Sequence, residues 1–432
     1  MVKVQKSCYF AQCFNTFVMS RLHTPLFIAR RLSASADGES RGTMIRISIA
    51  TTALCIAVMI VSLAVVAGFK REISSKVEGF VSRLQIVALT WEGNSGTPIT
   101  RLAELEAQLA ANPDVSRLNV FASRGGVIKT DAAVSGVVLK GVDEGYDMSF
   151  FERHLVEGTT PKVDSARRKD VMISASLAAL LDVGVGDKAE FMIVESNTPP
   201  RRDRFRVCGI YNTGFGEMDR THVITDLRNV QRLCGWDESE ITGYELSARS
   251  EKAVGDLEYE LYLATLEIED AQTPLMVIDT HNKYPTIFDW LKAHDVNAAV
   301  IITIMFAVAL LSALSALLIM LLERTQTIGI LKALGMSDGG IQQIFIARSL
   351  FITLVGAVIG DILGVGICLA QKHLHLIKLD SEGYFLSEVP IALSPLSVAL
   401  LDVGVIALLM AILALPTLII SRIKPEKTIR FQ

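Results

Sequence analysis

Apolar residues are spread unevenly along this chain; they gather into long runs separated by one extended polar tract. Residues 47–68 contain no charged side chain, and 298–322 are as uniformly apolar. At ~1.5 Å per residue the second run would make a helix about 37 Å long. That exceeds the ~30 Å hydrocarbon core of a bilayer, so tilt or protrusion is expected. A third run, 349–371, is broken only by Asp361, and a fourth, 391–421, carries Asp402 and Pro416. A buried helix of a water-soluble protein can imitate one such run, but hardly four in one chain. The pattern predicts an α-helical membrane protein with four transmembrane helices.

The tract from 69 to 297 follows other periods. Thr100 is placed to cap a helix whose Leu102, Leu105 and Leu109 share a face, closed by Asn112-Pro113. Short apolar runs at 83–89, 126–129, 134–142 and 171–174 predict strands, and 176–181 predicts a helix ending at the Gly184 and Gly186 turns. Strands at 189–194 and 204–211 predict a hairpin around the polar link 195–203, and Arg204, Phe205, Arg206 and Val207 alternate as a half-buried strand does. The tract is long enough to bury its own core and reads as a large mixed α/β domain with no internal repeat.

Composition agrees with two solvents in one molecule. Half of the 432 residues are apolar and mean hydropathy is +0.41, yet 20% are charged, too many for a membrane bundle alone. A net charge of −4 offers nothing to a nucleic acid. Basic flanks set the orientation. Arg21, Arg30, Arg31, Arg41 and Arg46 precede the first run, Arg324 and Lys332 follow the second, and Arg422, Lys424, Lys427 and Arg430 follow the fourth. In 372–390, Lys372 and Lys378 are offset by Asp380, Glu382 and Glu388. Both termini and 323–348 are therefore expected in the cytoplasm, with 69–297 and 372–390 outside. The expected order is a cytoplasmic segment 1–46 with an interfacial helix, spans at 47–68, 298–322, 349–371 and 391–421, and a tail 422–432. Met19 is the expected start, and the first run, followed by no Ala-x-Ala site, is expected to stay as an anchor.

Catalytic chemistry is missing from the pattern. No GxxxxGK[ST] loop occurs, and Gly184-Val-Gly-Asp-Lys188 has the wrong spacing to cradle a phosphate. HExxH and GxSxG are also missing, and no Cys/His cluster has metal-ligand spacing. His373 and His375, beside a membrane edge, read as solvated side chains. No catalytic residue, metal or cofactor is expected on this chain, so any energy source must belong to another. Cys208 and Cys234 are the two thiols that an oxidising compartment could hold; a disulfide and two separate buried thiols both stay open.

The segment 323–337 carries a mechanism. Charge begins abruptly where the second span ends, and Ile328, Leu331 and Leu334 are read as one helical face with Lys332 pointing elsewhere. Gly335 is placed as a left-handed C-cap, and Ser337 or Asp338 can cap the next helix. Ile341, Ile344 and Phe345 then resume an apolar face into the third span. Helix, break and helix at a membrane surface make a short stiff knob that could accept force from a cytoplasmic partner. An inert connector fits the same pattern.

This segment is similar to the cytoplasmic loop of MacB/FtsX-type ABC permeases. Tyr284-Pro-Thr-Ile-Phe-Asp-Trp-Leu291, Asp295-Val-Asn297 and Glu323-Arg-Thr with Ile328-Gly-Ile-Leu-Lys-Ala-Leu-Gly335 resemble, more narrowly, the lipoprotein-releasing permeases of the LolC/LolE family. The likeness continues at 27–31, 57–60, 68–69, 209–214 and 421–425. The resemblance implies a type VII ABC permease with a MacB-like periplasmic domain in the bacterial inner membrane. It implies a second permease subunit, identical or homologous, and a separate LolD-like ATPase holding ATP and Mg. It further implies triacylated lipoprotein substrates and a LolA-like periplasmic chaperone.

Carried onto this chain, the resemblance gives Glu323, Arg324, Ile328, Gly329, Lys332, Leu334, Gly335 and Met336 to the ATPase contact. It gives Val65, Val66, Phe69, Ile301 and Met305 to a cavity for acyl chains, although apolar span residues are packing residues by default. Relatives that recruit the chaperone use a protruding hairpin loop, and the corresponding link 195–203 is short here. Pro199 and Pro200 would stiffen it, and Arg201 and Arg202 would charge it for the chaperone; a solvated turn explains them equally. Chaperone-recruiting, lipoprotein-binding and combined roles all stay open.

Other functions are weighed against this one. A MacB-like efflux permease would carry a fused ATPase, an FtsX-like regulator of cell-wall hydrolases a smaller external domain, and a membrane sensor without transport activity a cytoplasmic signalling domain. Asp361, costly in lipid at ~2.5–3.5 kcal/mol, is expected to find a Ser or Thr on a neighbouring span.

Overall fold

The computed structural model describes residues 39–89, 97–164, 166–195, 198–266, 273–379, 386 and 388–417. The expected start at Met19, the segment 1–38, the acidic Asp380 and Glu382, and the basic tail 422–432 lie outside the described residues. In chain order the first elements are α1 (Glu39–Val81), β1 (Leu84–Ala88), β2 (Ile99–Thr100), α2 (Ala103–Ala111), β3 (Val115–Lys129), β4 (Val134–Val142), α3 (Ser149–Arg153), β5 (Leu155–Gly158), β6 (Asp170–Ser174), α4 (Ala175–Leu181), β7 (Lys188–Glu195) and β8 (Thr198–Tyr211). There follow α5 (Gly216–Thr221), β9 (His222–Asp226), α6 (Leu227–Cys234), β10 (Glu240–Ile241), β11 (Gly243–Ala248), α7 (Val254–Leu266), β12 (Leu275–Asp279) and α8 (Thr280–Lys283). Four helical segments close the described chain: α9 (Pro285–Glu323), α10 (Thr325–Ala333), α11 (Asp338–Leu374) and α12 (Pro395–Thr417). The chain divides into two compact units, a helical one (1–68, 293–376, 390–432) and an α/β one (69–292, 377–389).

Among the described residues α1, α9, α11 and α12 are the helices long and apolar enough to cross a membrane. Leu311, Ile362 and Val403 are each about two-thirds exposed, at 65%, 68% and 66%. Apolar side chains on the outer faces of apolar helices are what lipid, rather than water, covers. Inward, Cys55 and Met59 of α1 pack with Ala309 of α9 and with Val405 and Leu409 of α12. The fourth helix starts at Pro395; ahead of it the Ala392 amide donates to Ala64 O at 3.1 Å.

The glycines of α11 set its seat on α1. A Cβ on Gly356 would lie 2.9 Å from Thr52 Cβ, one on Gly360 2.7 Å from Ala53 O, and one on Gly364 3.1 Å from Ala57 Cα. Glycines four residues apart thus form a ridge over which two helix backbones approach closely, a common solution where lipid supplies no hydrophobic drive.

The α/β unit is built on a ten-stranded sheet in the order β12-β1-β11-β3-β4-β9-β6-β8-β5, with β7 pairing β3 and β8 off that path. Pairing is antiparallel except for β4 with β9 and β6 with β8. Leu105 and Leu109 of α2, Leu177 and Leu181 of α4, Val230 and Leu233 of α6, and Leu257 and Leu261 of α7 bury their apolar stripes in its core.

Three local expectations are corrected. Thr100 belongs to β2, paired with Glu240, and α2 begins at Ala103 behind Leu102 with no side-chain cap. Strand β3 begins at Val115 rather than 126, because Val120, Phe121 and Ala122 are buried beyond the polar Arg124-Gly-Gly126 stretch that disguises the strand. The polar link 195–203 is largely strand: Ile193 pairs with Arg201, Met192 with Arg202 and Phe191 with Asp203. Pro199 and Pro200 fall where the register shifts, the place a strand tolerates residues without an N–H.

Candidate functional site

The knob between α9 and α11 is built from ordinary helix-end chemistry. Arg324 breaks α9 from α10 with φ −105° and ψ 14°. At the other end of α10 the Met336 amide donates to Leu331 O and the Gly335 amide to Lys332 O, each at 3.0 Å. This is the Schellman pair of bonds, and it requires the left-handed φ of +87° that Gly335 supplies. The hydrophobic contact of that motif is present, since Leu331 and Met336 both pack on the cluster of Ile328, Ile341 and Phe345. Ser337 Oγ then accepts from the Gly340 amide at 3.3 Å and caps α11.

Within the knob the side chains are arranged differently from the sequence reading. Ile328 is fully buried, Gly329 is buried, and Leu331 is half-buried, but Leu334 is 79% exposed. Lys332 does not point away; its Nζ pairs with Asp338 at 2.8 Å with 11% of the side chain exposed. At 100° per residue Lys332 lies about 40° from Ile328 around the helix, whereas Leu334 lies about 120° away. Leu334 instead stands with Ile330, 54% exposed and four residues earlier, as an apolar pair turned outward. The core beneath leaves a gap of only about 20 Å³ among Ile328, Leu331, Ile344 and Phe345. Packing of Ile328 and Leu331 against Ile341 and Phe345 ties the knob to α11.

Residues assigned to an acyl cavity are scattered in their surroundings. Val65 and Val66 are half-buried on α1, Ile301 is 39% exposed on α9, and Met305 packs against the Cys55–Met59–Leu409 cluster. Phe69 is buried, with its ring edge-on to Trp290 at 5.6 Å.

The β7–β8 hairpin presents a basic strand. Arg202 and Arg204 are exposed and flank Glu190 at 3.6 and 3.9 Å, and Arg206 pairs with Asp170 at 2.9 Å. Arg201 is also exposed, with its guanidinium laid over Gly235 at the end of α6; Pro200 is exposed beside it. Cys208 and Cys234 are separate thiols, not a disulfide. Cys234 lies in the core with Val207, while Cys208, the extra residue of a bulge against β6, donates to Val171 O at 3.3 Å. Burial, reinforced by Asp170, pushes the Cys208 thiol up to about 12. Cys208 is therefore not a reactive thiolate at neutral pH.

Asp361 does not find a Ser or Thr. Its carboxyl lies near that of Asp402 on the adjoining α12, and the Oδ1 of each is buried without a hydrogen-bond partner among the described residues. Sequence reading missed this proximity, and it missed the Gly356-xxx-Gly360-xxx-Gly364 ridge, although four-residue glycine spacing within an apolar run is a readable signal.

Comparison with known proteins matches these two units. The FtsX-like permease C-terminal family matches residues 299–425, and the MacB-like periplasmic core domain matches 47–261. The chain is similar to the lipoprotein-releasing system transmembrane protein LolC of Xylella fastidiosa strain Temecula1, at 22% identity over 95% of this chain and 100% of that one. It is 26% identical to LolC of Neisseria meningitidis serogroup B, over 89% of this chain and 94% of the relative. LolE of Haemophilus influenzae is 22% identical over 94% and 99% of the two chains. With two family domains in series and similarity to both LolC and LolE along nearly its whole length, the chain belongs to the LolC/LolE family of MacB/FtsX-type permeases.

Proposed function

We propose that this chain is the permease subunit of an ATP-driven complex that lifts lipoproteins from the bacterial inner membrane and hands them to a periplasmic chaperone. Its termini and α10 face the cytoplasm and its α/β unit faces the periplasm. A separate ATPase holds ATP and Mg and docks on α10, a second permease subunit completes the channel, and this chain binds no cofactor and catalyses no step.

One observation carries the reading: an apolar pair, Ile330 and Leu334, stands exposed on a short helix clamped at both ends, in a chain whose relatives bear lipoprotein-releasing names. Exposed apolar anchors on a rigid element are what a partner's groove can seize. Nucleotide-driven motion of that partner would swing α10, and with it α11 and α1, as packed bodies. The energetic demand fits. Three acyl chains at ~0.8 kcal/mol per buried CH₂ cost tens of kcal/mol to extract, beyond thermal opening alone. Depletion of this protein is expected to strand outer-membrane lipoproteins in the inner membrane, read by density separation of the two membranes. Normal sorting after complete depletion, in a strain without a paralogue, would sink the reading.

A further inference from the structure

The α/β unit holds a cavity of about 590 Å³, within the range of small-ligand sites, where α5, α8 and the strands β1, β3, β4 and β11 converge. Its floor is a buried polar network. Lys140, 2% exposed, donates to both carboxylate oxygens of fully buried Glu245, at 2.7 and 2.8 Å, and to Tyr146 Oη at 2.9 Å. Gln85 Nε2 adds a bond to Glu245 Oε1 at 2.9 Å. Lys140 and Glu245 therefore cancel each other's charge.

Lys283 is different. Its ammonium faces the same cavity and donates to Gln85 Oε1 at 2.7 Å, the one hydrogen bond it makes among the described residues. Two of its three donors are uncommitted. The other groups facing it do not neutralise it. His222, pushed down to about 4 by burial and by the Lys140 ammonium, is uncharged at neutral pH. Arg124 and Glu217 line the cavity with opposite charges, Glu217 exposed. Ser123 and Tyr284 add hydroxyls. One positive charge is left over, half-buried, in a space open to a ligand.

We propose that this cavity is a binding site for a monocarboxylate, with the ligand's carboxylate bridging the two uncommitted Lys283 donors. A single ammonium matches a single negative charge, whereas a phosphate dianion would bring surplus charge beside Glu217 and Glu245. The cavity has room for a short chain behind the carboxyl, which could belong to a free acid or to an acidic residue of a peptide. Desolvation, and Lys140 more weakly, hold Lys283 down at about 8 against the opposing pull of Glu245, so an arriving anion would restore its proton.

The test uses the full-length protein in lipid nanodiscs and calorimetric titration with four probes. These are N-acetylglycine, an end-capped glycyl-aspartyl-glycine peptide, neutral N-acetylglycinamide and methyl phosphate. The carboxylates are expected to bind, with proton uptake at pH 8, and the tighter of the two tells a free acid from a peptide. Lys283→Met is expected to weaken them at least tenfold. Gly125→Trp, at a cavity position where an added Cβ meets nothing within 4 Å, should do the same by filling the mouth while leaving the network intact. Equal affinity in both variants, equal binding of the neutral amide, tighter binding of methyl phosphate, or no binding of either carboxylate would each overturn the assignment.

Discussion

Gly335 shows how much one residue can hold. Its φ of +87° closes the bonds that end α10, and a side chain there would be strained although nothing crowds it within 4 Å. Gly335→Val should cost ~1–2 kcal/mol locally, loosening the knob. ATPase stimulation by the complex is expected to fall severalfold, with the amount of protein in the membrane unchanged; unaltered turnover would remove the coupling role. His222 makes a separate prediction in the α/β unit. Its folded value of about 4 lies below the ordinary imidazole value of 6.5, so between those values the unfolded chain binds the proton and the folded chain resists it. The stability is present above pH 6.5 and is lost as pH falls through 4, in all about 3 kcal/mol. Hydrogen exchange of β9 amides, corrected for intrinsic rate, should speed up from pH 7 to pH 5, and less so in His222→Gln.

Helices and strands differ in how well the sequence exposes them. The glycine ridge of α11 predicts that Gly360→Leu forces α1 and α11 apart, at 1–3 kcal/mol or more as an order of magnitude. Gly366→Leu, where an added Cβ meets nothing within 4 Å, should be silent. Unfolding in mixed micelles compares the two, and equal effects would contradict the packing. The spans were legible because an uncharged run has few alternatives in water. The α/β unit was legible where apolar runs were unbroken, as in β4 and β6, or alternated with polar residues, as in the second half of β8. Strand β11 hides because Glu245 interrupts it, and that charge is buried only because Lys140, distant in sequence, meets it. The first part of strand β8, 198–203, hides because Arg201 and Arg202 face solvent while β7 supplies its ladder, whereas the alternation from Arg204 to Val207 was readable. The same limit reversed Lys332 and Leu334: the ion pair with Asp338 lies across a turn that spacing alone does not weigh. Partners distant in sequence decide these cases, and one sequence shows residues without their partners.

For the whole molecule, the chain divides into a helical unit and an α/β unit, and the proposed function places force reception in the helical one. In the proposed function the anchors for the force are Ile330 and Leu334, on α10 and at its C-terminal end. Ile330→Ser combined with Leu334→Ser should cut recovery of an ATPase chain from detergent extracts at least tenfold without reducing membrane insertion; full recovery would place the contact elsewhere. All of this requires α10 to lie on the side of the membrane where ATP is made available. The direct measurement is labelling of Leu334→Cys, in a background with the native cysteines replaced, by a membrane-impermeant thiol reagent. No labelling in intact spheroplasts and full labelling after permeabilisation is the predicted result. Full labelling in intact spheroplasts would put the knob outside, beyond reach of any cytoplasmic ATPase, and would contradict the account.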